Sequence, residues 1–175
     1  MGAKGMKAAF FDRDGTIIED YLDEEWTGVS EPVFLPGAIE TLRQVRQKGY
    51  DIIIITNQYL INEGFITIKQ YEKIQAKLLL ELEKQGVDIL AVYYCPHRRN
   101  EGCDCCKPET GMILQALNHY PSIDLKSSFV IGDSEVDVEL ARRMGMRGFG
   151  IKVPIPQGEP GIKQVNEVAD VLRYI

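Results

Sequence analysis

Two aspartates, Asp12 and Asp14, stand two residues apart at the end of a short apolar run over residues 6–11, and Gly15-Thr16 follows them. The run is apolar apart from Lys7 and reads as a buried strand. Paired acids at the carboxyl end of such a strand lie where open α/β sheets place their chemistry. Alone they also fit a strand that merely ends in an Asp-Gly turn. Three more polar groups each follow a predicted strand: Thr56-Asn57-Gln58, Lys107, and Asp133 with Asp137. Taken singly, Asp133 and Asp137 would be a helix N-terminal acid and an exposed acid. In a parallel sheet, however, all carboxyl ends share one edge, so the four groups converge on a single crevice.

A different chemistry is offered by Cys95-x-His97 and Cys103-x-Cys105. Three thiolates and an imidazole suit a closed, tetrahedral, structural Zn²⁺ site. The spacing is tighter than the common Cys-x-x-Cys knuckle. Buried thiols or a disulfide are the competing readings, although the adjacent Cys105 and Cys106 cannot easily pair with each other. Cys106 is also an alternative soft ligand in place of His97, but it would draw the chain beside Lys107 into the metal.

The elements that must position these groups are legible as alternating strands and helices. Pro36-Gly37 opens a helix with Ala38, Ile39, Leu42 and Val45 on one stripe, and Gly49 stops it. Residues 51–55 hold four consecutive isoleucines, the mark of a strand buried on both faces. Thr67-x-x-Gln70 has the form of a capping box, predicting a long helix to about Gln85. Residues 89–94 read as the third strand, residues 110–120 as a helix, residues 128–131 as the fourth strand and residues 135–144 as a helix. Residues 149–153 read as a fifth strand, 154–161 as a Pro/Gly loop and 162–172 as a last helix. The acidic stretch 19–31 reads as a solvated loop in which Tyr21 and Trp26 either wall a substrate or pin the loop to the body. The expected fold is α/β: a doubly wound parallel sheet with right-handed crossovers, in one domain over residues 1–175. Met1 to Gly5 read as an added or disordered lead.

Composition narrows the function. The 175 residues carry a net charge of −6 and no basic tail, which argues against a nucleic-acid partner. No apolar stretch approaches the roughly 18 residues that span a bilayer, and no signal-peptide core stands at the N-terminus. A cytoplasmic protein, without a membrane partner and monomeric, is expected. Four clustered cysteines in such a setting favour metal binding over a disulfide framework.

The run Asp12-Arg13-Asp14-Gly15-Thr16, then Thr56-Asn57, Lys107 and Asp133/Asp137 in that order, resembles motifs I to IV of the haloacid-dehalogenase (HAD) phosphotransferases over nearly the whole chain. The resemblance implies a HAD-like Rossmannoid with a minimal cap. It implies that Asp12 is a nucleophile forming an aspartyl-phosphate and that Asp14 is the general acid and base. It further implies that Asp12, the backbone carbonyl of Asp14 and Asp133 hold Mg²⁺, and that Thr56, Asn57 and Lys107 bind the phosphoryl group. A carboxylate attacking a phosphate dianion is a like-charge encounter, so cations are needed in the same pocket. Asp137 fits a role in orienting a metal-bound water or a backbone group.

Cys95-Pro96-His97 to Cys105-x-Lys107-Pro108 within that frame is similar to the branch of heptose-bisphosphate phosphatases and histidinol-phosphatases. Its zinc-bound loop, about residues 95–107, would brace Lys107. The implied substrate is a small phosphorylated metabolite, with Asn57, Gln58, Cys106, Lys107 and Ser134 facing it. The chain departs from the branch at Cys106, where Arg is usual, at Tyr59–Gly64, where Glu63 replaces a base, and at Ser134, often Lys. Each change removes positive charge or polarity from the outer pocket. Arg98 and Arg99 either compensate or are solvated surface charges.

Overall fold

The four isoleucines set the layers. Strand periodicity sends Ile52 and Ile54 into one apolar cluster and Ile53 and Ile55 into the other, and all four are fully buried. Each such side chain contributes about 1.5–3 kcal/mol relative to exposure. In the computed structural model, which describes residues 4–175, they lie on β2 (Tyr50–Asn57), paired parallel to β1 (Lys7–Phe11). The expected lead at Met1 to Gly5 falls largely outside the described residues.

The remaining strands are β3 (Ala91–Cys95), β4 (Phe129–Gly132), β5 (Arg147–Ile151) and β6 (Ile162–Val165). They form one parallel sheet in the order β3-β2-β1-β4-β5-β6. The chain winds outward in one direction from β1 and in the other from β4. The switch point therefore lies between the carboxyl ends of β1 and β4, where such sheets open a crevice. Of the helices, α1 is Asp23–Trp26, α2 is Ala38–Gln47, α3 is Ile68–Lys84, α4 is Gly111–His119 and α5 is Glu135–Arg143. Leu42 and Val45 of α2 join Ile74, Leu78 and Leu82 of α3 on one face of the sheet. Ile113 and Ala116 of α4 join Val138 and Ala141 of α5 on the other.

Local signals act as the sequence predicts at α3. Thr67 Oγ1 accepts from the Gln70 amide at 3.1 Å, and Gln70 Oε1 accepts from the Thr67 amide at 2.9 Å. Two expectations need correction. The acidic stretch 19–31 contains the short helix α1, whose Trp26 is buried. The expected last helix over 162–172 is instead strand β6 followed by a 3-10 helix, Val168–Arg173. Ile162, Val165, Val168 and Val171 repeat every three residues, which imitates a helical stripe. The open edge of β5 captures the first half as a strand, burying Ile162 and Val165 and leaving Lys163 and Gln164 exposed. Such edge polarity is how sheets protect their last strand. Among the described residues, no helix is long and apolar enough to cross a membrane.

Candidate active site

The carboxyl ends of β1, β2 and β4 and the loop after β3 line a cleft of about 850 Å³. Asp12, Asp14, Thr56, Asn57, Gln58, Cys106, Lys107, Asp133, Ser134 and Asp137 all lie on its wall. The floor is an ion-pair hub. Lys107 Nζ donates to Asp12 Oδ1 at 2.8 Å, to Asp137 Oδ1 at 2.7 Å and to the Ile55 carbonyl at 3.0 Å. Burial alone would pull the Lys107 ammonium down, but Asp12 and Asp137 more than offset it and hold the group charged.

Two glycines make this packing possible. A Cβ on Gly15, whose φ is +84°, would lie 2.0 Å from Asp133 Oδ2, and one on Gly132 would lie 2.1 Å from Asp137 Oδ2. Both acids thus approach where only backbone can stand. Asp137 also accepts from the Ser134 amide at 3.3 Å at the start of α5, so it does orient a backbone group.

Asp12, Asp133 and Asp137 present oxygens that all lie within 4.8 Å of one another. Asp133 is exposed to the cleft, but desolvation by the surrounding wall, then the neighbouring Asp12 carboxylate, still pushes its carboxyl upward. For Asp137, burial raises the carboxyl and Lys107 opposes it. Three acids against one ammonium leave negative charge in excess. The donor set is hard oxygen, and it fits a divalent cation such as Mg²⁺.

Several expected phosphate binders have their polar groups turned to neighbours. Asn57 Nδ2 donates to the Lys107 carbonyl at 3.2 Å, and the Lys107 amide donates to Asn57 Oδ1 at 2.8 Å. That reciprocal pair clips the end of β2 to the loop carrying the lysine. Gln58 Nε2 donates to Asp14 Oδ2 at 2.9 Å and lies 2.8 Å from Thr56 Oγ1. Asp14 also faces Arg13, with Nε to Oδ1 at 2.8 Å. Thr16 Oγ1 donates to Asp12 Oδ2 at 3.3 Å.

Behind this wall, Cys95, His97, Cys103 and Cys105 bring their ligand atoms within 4.8 Å of one another, and all four cysteines are free. The Cys95–Cys103 and Cys103–Cys105 sulfur separations are 3.6 and 3.8 Å. Tetrahedral thiolates about 2.3 Å from Zn²⁺ stand roughly 3.8 Å apart. Cys95 and Cys105 are closer, at 2.6 Å, and would have to part by about an ångström around an ion. His97 Nδ1 lies 3.1 Å from Cys105 Sγ. The set fits a soft tetrahedral metal with His97; Cys106 lines the cleft, and its thiol also meets that of Cys95 at the edge of the cluster.

A family model described as polynucleotide kinase 3 phosphatase matches residues 7–145, which span β1 through α5. A probable D-glycero-D-manno-heptose-1,7-bisphosphate 7-phosphatase from Thermoplasma volcanium is 39% identical over 142 residues, covering 79% of this chain and 94% of that protein. The D-glycero-alpha-D-manno-heptose-1,7-bisphosphate 7-phosphatase of Photorhabdus laumondii is 38% identical over 165 residues, covering 89% of this chain and 87% of the relative. The chain belongs to the heptose-bisphosphate 7-phosphatase family of HAD phosphatases. A crystal structure of the D,D-heptose 1,7-bisphosphate phosphatase from B. bronchiseptica, complexed with magnesium and phosphate, shares the fold at a TM-score of 0.82 and 24% identity, covering 96% of this chain and 97% of that one.

The mouth of the phosphatase differs from its floor. Asp20, Asp23 and Glu24 join Tyr21, Leu22, Trp26, Tyr59 and Arg99 there. Trp26 lines the cleft and is buried in the core cluster, which ties the loop to the body, and within the loop its Nε1 donates to Asp20 Oδ1 at 2.9 Å. Arg99 is exposed at the rim, yet paired. It sits 4.2 Å over the Tyr59 ring, pairs with Glu63 at 2.6 Å and pairs with Asp23 at 2.7 Å. Arg98 instead donates to the Asn62 carbonyl at 2.8 Å. Sequence reasoning missed Arg13, which is 1% exposed yet charged. No periodicity or composition signal separates it from a solvated arginine. It also missed Thr16, whose place directly after Gly15 was the available hint.

Proposed function

We propose that this phosphatase is a Mg²⁺-dependent phosphomonoesterase that removes the 7-phosphate of D-glycero-D-manno-heptose 1,7-bisphosphate through an aspartyl-phosphate. The observation that carries the reading is Lys107 Nζ bridging Asp12 and Asp137 beside Asp133 on the cleft floor. The names of the relatives support the substrate. The reading takes residues 1–175 as one domain, acting alone on a small phosphorylated sugar.

Asp12 is the attacking carboxylate. Thr16 and Lys107 hold its two oxygens, one each, and fix the direction of the attacking lone pair. Lys107 offsets the charge of the incoming phosphoryl group, and Asp137 keeps that ammonium in place. Asp14 gives a proton to the departing sugar oxygen and then takes one from the hydrolytic water. Asp12, the Asp14 carbonyl and Asp133 would hold Mg²⁺, which supplies charge neutralisation for the transferred group when bound. Cys95, His97, Cys103 and Cys105 would hold a structural Zn²⁺ that braces the loop leading to Lys107. Thr56 and Ser134 line the route of the substrate.

Asp12→Asn removes the attacking oxygen and should abolish turnover in purified protein with Mg²⁺. Normal activity in that variant refutes the mechanism. The charge of the mouth favours a second substrate reading. Arg99 is already held by two carboxylates, and Asp20 and Glu24 add further negative charge. A second phosphate is poorly served there, whereas a cationic or neutral tail, as in histidinol phosphate, is not. Comparing kcat/KM for the heptose bisphosphate and histidinol phosphate decides between them; a tenfold preference is about 1.4 kcal/mol of transition-state stabilisation. The same acidic mouth disfavours a nucleic-acid end, whose phosphates would need cations along the groove.

A further inference from the structure

Arg13 is the largest of the fully buried side chains among the described residues. A guanidinium taken out of water is costly unless paired, so its placement calls for a reason. It meets one carboxylate, Asp14, through two contacts: Nε to Oδ1 at 2.8 Å and Nη2 to Oδ2 at 3.2 Å. Its remaining fork is anchored from α3, where Nη1 donates to Gln75 Oε1 at 3.1 Å. The guanidinium carbon lies 5.2 Å from the Tyr71 ring centre and 5.9 Å from that of Trp26, so the plane is boxed in. From the other side Gln58 Nε2 donates to the same Asp14 oxygen, Oδ2, that meets Nη2. Asp14 is thus gripped by two side chains that are themselves more than nine-tenths buried.

We infer that Arg13 and Gln58 are positioning residues that aim the Asp14 carboxyl at the leaving oxygen of the substrate. The inference rests on the proposed role of Asp14 and adds what directs it. Two-point contact fixes the plane of a carboxyl group, which a single hydrogen bond does not. General-acid transfer depends on that direction. In the first half-reaction Asp12 forms a bond to phosphorus, the bond from phosphorus to the sugar oxygen breaks, and the Asp14 proton goes to that oxygen to give the alcohol. A p-nitrophenyl ester loses p-nitrophenolate, a stable anion that needs no proton. A residue acting through Asp14 therefore matters for alkyl esters and much less for the aryl ester. A residue that merely supports the fold matters equally for both.

The test compares kcat/KM, which reports the steps up to leaving-group departure, for p-nitrophenyl phosphate and for whichever of heptose 1,7-bisphosphate and histidinol phosphate turns over faster. The proteins are the unmodified chain, Asp14→Asn, Arg13→Met, Gln58→Leu and the double variant Arg13→Met/Asp14→Asn. General acids contribute about 100- to 10,000-fold, so Arg13→Met should lose at least about 30-fold more on the alkyl ester than on the aryl ester. Gln58→Leu, a smaller perturbation that keeps the test alive should Arg13→Met not fold, should lose in the same direction. In the Asp14→Asn background, the Arg13 change should cost nothing further on the alkyl ester. Equal losses on both esters, or full additivity in the double variant, overturn the inference. Full activity in Asp12→Asn would instead overturn the phosphatase mechanism beneath it.

Discussion

Replacing Lys107 by Met keeps most of the side-chain volume and removes the ammonium from three acceptors, Asp12, Asp137 and the Ile55 carbonyl. Asp137 is 1% exposed and loses its only cation among the described residues. Breaking a buried pair by deleting one partner costs about 3–5 kcal/mol, because the other charge is left uncompensated. Burial already raises the Asp137 carboxyl and Lys107 opposes that rise, so the variant pushes it higher still. A carboxyl raised in the folded state binds more protons folded than unfolded. Stability of the variant should therefore fall as pH climbs from the ordinary aspartate range, about 3.9, through the raised native value. Urea denaturation at pH 5.5 and pH 8, in EDTA, should show the larger deficit at pH 8. In steady-state kinetics with Mg²⁺, kcat should drop about 100- to 1,000-fold, the scale of one lost electrostatic stabiliser. A variant within about 1 kcal/mol of the parent at pH 8, well below that buried-pair cost, or with the deficit larger at pH 5.5, would refute the reasoning.

Other perturbations test separate parts of the site. Gly132→Ala would thrust a methyl group against Asp137, 2.1 Å from Oδ2, and should cost about 1–3 kcal/mol in urea denaturation and lower kcat; parental stability and rate would contradict the packing. Chelating the Cys/His cluster should lower the melting temperature and raise KM more than it lowers kcat, because the Asn57 clip still holds the Lys107 backbone. Metal analysis alongside kinetics checks this, and a loss confined to kcat would count against it. Glu63→Gln relieves one of the two carboxylates on Arg99 and should raise the kcat/KM ratio of heptose 1,7-bisphosphate over the 7-monophosphate about 2- to 5-fold, the yield of an exposed ion pair. An unchanged ratio would mean that Arg99 does not face the distal group.

The parallel sheet was legible because the four isoleucines of β2 have no polar face, and because Thr67 and Gln70 announce α3. The convergence of Asp12, Lys107 and Asp133 was equally legible, since each directly follows a strand or the loop after one. The far end was misread because β6 and the 3-10 helix after it bury valines and isoleucine at intervals of three, a helical period imposed by an edge strand and a tight turn. Partnerships were hidden throughout. Nothing local says that Asn57 would bond a backbone 50 residues away, or that Arg99 would reach Asp23 across 76 residues. Arg13 was hidden for the opposite reason: its carboxylate is the next residue, and only burial by Trp26, Tyr71 and Gln75 makes that contact consequential.

The two-way clip between Asn57 and the Lys107 backbone divides one loop into parts with different freedoms. Upstream of it, Arg98, Arg99 and Glu101 are exposed, and of these Arg99 stands on the cleft wall. Downstream, the lysine stays anchored to the sheet whatever happens at the gate. Substitutions at Arg99 should therefore alter what meets the rim while Lys107 keeps its place on the sheet.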